Sequence, residues 1–172
     1  CGKACGEPVW RLLGGCRDHV PVYADGIGYA DITAAEVGSL VTRHVGLGFT
    51  SVKFHLSSPE PDVALEKLRV AREALGPDRR LMIDIRRMWD GHLAAEMATA
   101  FEPYDLYWIE EPVRGDDEPG QLRMVREATT SLLAGGEGEG TIYGVRRLLD
   151  EGGLQVVQSD ILIGGGFTGL LR

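Results

Sequence analysis

Four acidic residues follow short apolar runs at nearly regular intervals along the chain. Asp84 follows "LMI", Glu110 follows "YWI", Glu137 follows "LLAGG" and Asp160 follows "VVQS". Successive acids are 26, 27 and 23 residues apart, which is close to the length of one strand–helix unit. Because ligands of parallel α/β folds bind at the carboxyl ends of the strands, this spacing predicts that the acids meet at one edge of a sheet.

Such an array suits the binding of a divalent cation. Carboxylates on adjacent strands repel one another and raise one another's pKa, and a bound cation removes that cost. All-oxygen ligands select a hard cation, and Mg²⁺ is the natural choice. A single acid at a strand end is usually a helix cap or a solvated loop residue, but several acids in phase favour the metal interpretation.

Two basic side chains lie one unit earlier, on the run "SVKFHL". Lys53 and His55 are separated by one residue, so strand alternation puts them on the same face. Lys53 can stabilise a substrate carboxylate, or act as a base if its pKa falls. His55 exchanges protons near neutral pH without a large shift of its pKa. The alternative for His55 is a structural histidine that is satisfied within the strand.

The elements that must position these residues alternate along the chain. Apolar, β-rich runs predict strands over 20–24, 51–56, 81–85, 106–110, 131–136 and 154–161. Apolar residues at helical spacing predict helices over 34–48, 62–76, 93–104, 120–129 and 141–153. This alternation predicts βαβ units and a parallel sheet, either in a (β/α)8 barrel or in a doubly wound sheet. Six strands are visible where a closed barrel has eight, so the chain is expected to be truncated at both ends.

Composition excludes several classes of protein. The chain has 172 residues, is 44% hydrophobic and carries a formal net charge of −8, which argues against a nucleic-acid binder. No apolar run approaches the roughly 20 residues that span a bilayer, and no signal peptide is recognisable. We therefore expect a cytoplasmic protein without membrane contact, in which Cys1, Cys5 and Cys16 are reduced thiols.

These residues resemble a known family. The segments "GEPVWRLLGG", "VKFH", "LMIDI", "YWIEEP", "GGE" and "VVQSDILIGGG" occur in the order found in the enolase superfamily, of the mandelate racemase type. The resemblance covers nearly the whole chain. It implies a modified TIM barrel with a separate α+β capping domain, and Mg²⁺ that stabilises an enediolate after a base removes the proton α to a carboxylate.

The resemblance implies roles for individual residues. The metal ligands fall on Asp84, Glu110 and Glu137. The family's Lys-x-Lys motif is Lys53-Phe54-His55 here, so the identity of the base stays open between Lys53 and His55.

Other positions are assigned more loosely. Asp160 matches the acid that pairs with a histidine on the seventh strand. Glu139, in "GEGEGT", resembles a feature of sugar-acid dehydratases and is a candidate substrate-binding residue, although an exposed loop acid is equally compatible. Arg86 lies on the face of Asp84 by alternation and would either bind a substrate carboxylate or pair with a neighbouring acid. Glu111 should point away from Glu110, as a loop or outer-layer acid.

The overall expectation is an α/β protein with an incomplete TIM-type (β/α) barrel of about six parallel strands. The C-terminal part of the barrel and the capping domain are expected to be missing. Residues 1–19 would lead from the capping domain into the barrel, and residues 20–172 would form the barrel piece. The longer enzyme would be a homo-oligomer that dehydrates a small sugar acid, and the piece alone would be inactive. Racemisation and cycloisomerisation share the first step and remain alternatives.

The segment "GGGFTG" at 164–169 supports a competing interpretation. It matches G-x-G-x-x-G after a predicted strand, which is typical of NAD-dependent oxidoreductases. The motif follows the last of six strands rather than the first, which weighs against that interpretation. A non-catalytic fragment is the third possibility.

Overall fold

Six parallel strands form one sheet whose spatial order is the order of the chain. The computed structural model describes residues 1–28, 31–56, 58–115 and 117–171. The strands are β1 (Ala24–Ile27), β2 (Ser51–His55), β3 (Arg80–Asp84), β4 (Leu106–Glu110), β5 (Leu132–Gly135) and β6 (Val156–Val157). In the described residues the sheet is open, with β1 and β6 at its two edges. The prediction of six parallel strands in an incomplete barrel is confirmed.

Helices connect successive strands, as the alternation of patterns predicts. Two short helices precede the sheet, and a helix follows each of the strands. In chain order they are α1 (Gly2–Cys5), α2 (Val9–Leu12), α3 (Ala34–Gly46), α4 (Pro61–Leu75), α5 (Gly91–Phe101), α6 (Glu118–Ala128), α7 (Ile142–Asp150) and α8 (Gly166–Leu170). A 3₁₀ turn, Glu102–Tyr104, extends α5 towards β4.

The two edge strands differ from their predictions. Residues 20–23 of the predicted first strand lie outside the sheet, and Val20 and Val22 are each 66% exposed. Pairing begins at Ala24, opposite Val52 of β2. The predicted strand over 154–161 is reduced to two residues, which pair with β5. An edge strand has a neighbour on one side only, so its extent depends on register with that neighbour, which an apolar run does not encode.

The two faces of the sheet bury different residues. The helices pack on one face against Val52, Phe54, Ile83, Ile109 and Leu133, which belong to the main core. On the other face Met82, Trp108 and Ala134 form a smaller cluster with Leu132 and Val156. This second face is the interior of the incomplete barrel, and the strand-end charges lie at its C-terminal edge.

Helix caps fix where the helices start beyond the strand-end loops. Thr33 and Glu36 form a reciprocal capping box at the start of α3. The Asp90 carboxylate accepts from two backbone N–H groups at the start of α5, and the Thr141 hydroxyl accepts from Gly144 at the start of α7. The loops after β1, β3 and β5 therefore end at capped helix starts.

Close backbone approach requires one glycine at the site edge of β1. Gly28 has φ +86°, and a Cβ atom there would lie 2.4 Å from the backbone oxygen of His55. Only glycine combines this conformation with that approach. The end of β1 is thereby held against the end of β2.

Two further observations concern the cysteines and the apolar character of the helices. All three cysteines are free and exposed. In the described parts of the chain, no helix is both long enough and apolar enough to cross a bilayer.

At the edge of the sheet opposite the strand-end acids, one arginine binds four backbone carbonyls. Arg72, near the end of α4, donates hydrogen bonds to the backbone oxygens of Tyr104, Gly76, Arg79 and Asp105, at distances between 2.8 and 3.0 Å. These carbonyls precede β3 and β4. Arg72 therefore ties α4 to the entry points of two strands.

We predict that Arg72→Met destabilises the protein by about 2–3 kcal/mol, because four carbonyls lose a charged donor. Thermal unfolding of the full-length protein measures the loss. Arg69→Met, which removes two exposed Arg–Glu pairs from the same helix, is the matched control and should change the midpoint much less. Equal midpoints for the two variants would show that Arg72 does not hold this edge.

Candidate active site

A polar cavity of about 480 Å³ opens at the C-terminal edge of the sheet. Its volume is in the range of small-molecule sites. It is lined by residues at the ends of β1 to β5: Asp25, Lys53, His55, Asp84, Arg86, Arg87, Glu110, Glu111, Glu137 and Gly138. The prediction that ionisable residues gather at this edge is borne out for the residues of the second to fifth strands.

Strand register places three of these residues side by side. His55 of β2 is the partner of Asp84 of β3, and Asp84 is the partner of Glu110 of β4. All three are buried, at 4%, 7% and 4% exposure. Adjacent positions in a parallel ladder bring their side chains onto the same face. The alternation argument thus worked for these strands because their ends are in register.

The Lys53 ammonium lies at the centre of the carboxylates. Its Nζ atom is 3.0 Å from both oxygens of Glu110, 3.5 Å from Asp25 Oδ2 and 3.9 Å from Asp84 Oδ2. Burial by itself would lower the pKa of Lys53, but the hydrogen bonds and charge of Glu110, with the charges of Asp25 and Asp84, raise it above its usual range. In this arrangement Lys53 is a cation that compensates buried acids.

The ring of His55 lies between two carboxylates. Its Nδ1 atom is 2.9 Å from Asp84 Oδ2, and its Nε2 atom is 3.3 Å from Asp25 Oδ1. Asp25 therefore reaches both Lys53 and His55 from β1, with one carboxylate oxygen towards each.

Asp25 and Arg87 line the cavity although the sequence analysis did not propose them, and Asp25 is the one that the sequence could have revealed. It follows the apolar run "VPVYA" and lies 28 residues before Lys53, so it satisfies the spacing rule that identified the other acids. It was overlooked because the first strand was placed four residues too early. In the structure Asp25 belongs to β1 itself, between the buried residues Ala24 and Ile27.

The indole group of Trp108, two residues earlier on β4, contacts the Glu110 carboxylate. Trp108 Nε1 donates to Glu110 Oε2 at 3.2 Å, and both residues face the barrel interior. Glu110 thus accepts hydrogen bonds from Lys53 and from Trp108. These contacts fix the orientation of its carboxylate.

The backbone leaves the strand conformation where β3 and β4 end. Arg86, Arg87 and Glu111 have φ values of +54°, +58° and +41°, which non-glycine residues rarely adopt. Alternation therefore stops at Asp84 and Glu110. Arg86 is not part of the strand, so the alternation argument that placed it on the face of Asp84 does not apply. Its side chain nevertheless lines the cavity.

Glu111 contributes to the cavity wall instead of pointing away from it. Its Oε1 atom accepts from Arg87 Nε at 2.9 Å and from Arg87 Nη2 at 2.5 Å. Burial raises the pKa of Glu111, and the negative charges of Glu137 and Asp84 raise it further. The pairing with Arg87 lowers this pKa but does not cancel the rise. Burial alone would lower the pKa of Arg87, but Glu111 and the charges of Glu118 and Glu137 raise it.

Glu137 lines the same cavity from the loop after β5, but it is exposed. Within the described ranges, no three histidine, cysteine or acidic side chains already form a metal-binding group. The site thus has two buried acids on strands, Asp84 and Glu110, and a third acid on a loop at the rim.

Two other predicted site residues lie elsewhere. The Asp160 carboxylate accepts from the backbone N–H of Leu162 at 2.7 Å, in a turn after β6, and does not line the cavity. Glu139 lies against Gly144 in the first turn of α7 and borders a separate groove between α7 and α8. Their functional roles stay predictions.

Formal charge in the cavity matches one divalent cation. The lining residues include five carboxylates and three cationic side chains, which leave a charge of −2 when His55 is neutral. Carboxylate oxygens are the donors that Mg²⁺ prefers. The Lys53 ammonium, between Glu110 and Asp84, already marks a position where positive charge is stabilised.

Known proteins with similar sequences catalyse reactions of sugar acids. An L-rhamnonate dehydratase from Saccharopolyspora erythraea is 38% identical over 177 residues, which cover 99% of this chain and 43% of the relative. A 3,6-anhydro-alpha-L-galactonate cycloisomerase from Streptomyces coelicolor is 35% identical over 161 residues, which cover 94% of this chain and 44% of the relative. The chain therefore spans less than half the length of these two relatives.

Solved structures share the fold. A racemase from Streptomyces coelicolor with bound magnesium matches with a TM-score of 0.87 and 30% identity, over 95% of this chain and 48% of that one. An enolase from Bradyrhizobium complexed with magnesium and mandelic acid matches with a TM-score of 0.86 and 28% identity, over 99% and 46%. None of these four relatives is named as an oxidoreductase, the class that the dinucleotide interpretation of "GGGFTG" predicts.

A family profile described as Enolase C-terminal domain-like matches residues 36–172, which include every strand from β2 to β6. The aligned segment contains Lys53, His55, Asp84 and Glu110, the buried residues that meet in the cavity. The chain belongs to the enolase C-terminal domain-like family.

Proposed function

We propose that the protein performs Mg²⁺-dependent removal of the proton α to a carboxylate and then dehydrates a sugar acid, an aldonate or aldarate. The observation that carries the proposal is the convergence of Lys53, His55, Asp84 and Glu110 in one buried cluster. Carboxylates and proton-exchanging side chains are both needed when negative charge develops next to a departing proton.

The residues that would hold Mg²⁺ are Asp84, Glu110 and Glu137. Their oxygen donors, and the formal charge of −2 in the cavity, suit a hard divalent cation. The bound ion supplies positive charge where the negative charge of the enediolate develops. Glu137 lies on the loop after β5, at the rim of the same cavity as the two strand acids.

Proton transfer falls to Lys53 and His55. Both line the cavity and are otherwise buried, with side-chain exposures of 7% and 4%. Asp25 holds the two side chains relative to one another, because its oxygens lie 3.5 Å from Lys53 and 3.3 Å from His55. Because Lys53 is a cation in this arrangement, it would carry charge next to the substrate carboxylate, and His55 would remove the α proton.

The remaining assignments concern the rest of the substrate. Arg86 at the rim would bind a carboxylate with its planar guanidinium group. In dehydration, the electron pair left by the α proton forms a C=C bond, the β C–O bond breaks, and the hydroxyl leaves as water after taking a proton. Asp160 would act on this second proton through a histidine partner, and Glu139 would contact the substrate from its loop.

Racemisation and cycloisomerisation are the second candidate functions. They use the same first step, and the relatives include a cycloisomerase and a racemase. Loss of water distinguishes dehydration from both, because the products of racemisation and cycloisomerisation have the same molecular formula as the substrate.

We expect the full-length protein to convert at least one member of a sugar-acid library when Mg²⁺ is present. Formation of 2-keto acid products measures dehydration, and mass spectrometry detects isomerised products. Removal of metal with EDTA should abolish turnover, and addition of Mg²⁺ should restore it. Failure to convert any carboxylate substrate in the presence of Mg²⁺ would count against the enzymatic proposal.

Replacement of the two adjacent glutamates should have unequal effects. Glu110→Gln removes a charge that would hold Mg²⁺ and that pairs with Lys53, so turnover should fall by at least about 100-fold. Glu111→Gln alters a residue that contacts Arg87, and turnover at saturating Mg²⁺ should stay within about tenfold of wild type. Steady-state rates and Mg²⁺ titrations compare the two. Equal losses would mean that the roles of the two glutamates are assigned incorrectly.

Exchange of the α proton identifies the base. We expect Lys53→Met and His55→Asn both to lower kcat, but only the variant that lacks the base should lose incorporation of deuterium at the α carbon in D₂O. NMR of the recovered substrate measures that incorporation. Full exchange in both variants would exclude the Lys53–His55 pair as the site of proton removal.

A further inference from the structure

Arg87 contacts all three loops that follow β3, β4 and β5. It lies in the first of these loops, its guanidinium group binds Glu111 in the second, and the same group packs against Gly138 in the third. The three predicted metal ligands lie at the ends of the same three strands. Arg87 itself is not among those ligands.

Arg87 and Glu111 are joined through their side chains and also through their backbones. The side chains meet at 2.9 and 2.5 Å, and the backbone N–H of Arg87 donates to the backbone oxygen of Glu111 at 2.8 Å. The Glu111 side chain is 8% exposed. Both residues have positive φ, a conformation that costs energy in non-glycine residues and persists where the surroundings enforce it.

On its other side the guanidinium group supports the loop that carries Glu137. A Cβ atom at Gly138 would lie 2.9 Å from Arg87 Nη2 and 3.2 Å from Nη1, so the guanidinium group occupies the space where a side chain at this position would begin. Asp84 and Glu110 are fixed by strand pairing, whereas Glu137 is two residues beyond the end of β5. Its position depends on what the loop packs against.

We propose that Arg87, locked by Glu111, is a positioning residue that holds the Glu137 loop in place for metal binding. The inference rests on the proposed Mg²⁺ site and deepens it. Arg87 acts through Glu137 and not by contact with the substrate or the ion. Residues that orient metal ligands commonly change metal affinity by about 10- to 100-fold when they are replaced.

Calorimetric titration of MgCl₂ into the full-length protein tests the proposal without recourse to turnover. Arg87→Gln should weaken Mg²⁺ binding by about 10- to 100-fold, and Arg87→Lys should recover part of the loss because it restores the charge but not the planar contact. Arg69→Gln removes an exposed arginine that pairs with Glu66 and Glu73 and is the matched control, with unchanged affinity expected.

Gly138→Ala tests the same contact without altering either charged residue. Gly138 is not among the residues with positive φ, so alanine brings no backbone strain there, and its methyl group would push against the guanidinium group. We expect a smaller loss of Mg²⁺ affinity than for Arg87→Gln. The double variant Arg87→Gln/Glu111→Gln should bind Mg²⁺ about as weakly as Arg87→Gln alone, because the pair acts as a unit.

Thermal unfolding of each metal-free variant separates positioning from folding. A purely structural role for Arg87 would lower the unfolding midpoint and leave the Mg²⁺ affinity of the folded fraction unchanged, and that result would overturn the proposal. Wild-type affinity in both Arg87→Gln and Gly138→Ala would overturn it as well. A wild-type protein that binds no Mg²⁺ would overturn the metal site, and with it this inference.

Discussion

The candidate site depends on the compensation of buried negative charge by one lysine. Asp84 and Glu110 are removed from water at the edge of a parallel sheet, and Asp25 adds a third carboxylate beside them. Burial of uncompensated charges is prohibitive, so a cation within this cluster is a condition of the fold. The Lys53 ammonium satisfies that condition with two hydrogen bonds to Glu110. A bound divalent ion would have to share Glu110 with Lys53, so metal binding and the environment of the proposed proton-exchanging group are physically linked.

The candidate site and the Arg72 contacts lie at opposite edges of the sheet. The C-terminal edge carries the charged cluster and backbone conformations that cost energy, at Arg86, Arg87 and Glu111. The N-terminal edge is held by Arg72 and its four carbonyl partners, with the capped helices packing on one face between the two edges. This division is the one expected of βα folds, in which loops at one edge vary for function and the other edge maintains the structure.

The core of the fold was predictable because its signals are local. Runs such as "LMIDI" and "YWIEE" combine buried β-formers with an acid at the end, and the boundaries of β2 to β5 lie within one residue of their predicted positions. The edge strands were less predictable. The residues of "VPVYA" up to Tyr23 remain outside the sheet because β1 takes its register from β2, so Asp25 was missed even though its spacing was correct.

The sequence by itself determined the parallel βα order, the strand-end positions of Lys53, His55, Asp84 and Glu110, and the kind of chemistry that these groups suit. Period-two alternation and the regular spacing of the units carry that information. Only the tertiary structure decided how the groups meet. Lys53 lies among carboxylates of other strands, and His55 lies between Asp25 and Asp84 of two other strands. The Arg87–Glu111 contact against Gly138 joins the loops that follow three strands. Alternation predicts nothing beyond the last strand residue, because positive φ at Arg86, Arg87 and Glu111 turns the chain there, and side-chain contacts across loops then depend on packing in three dimensions.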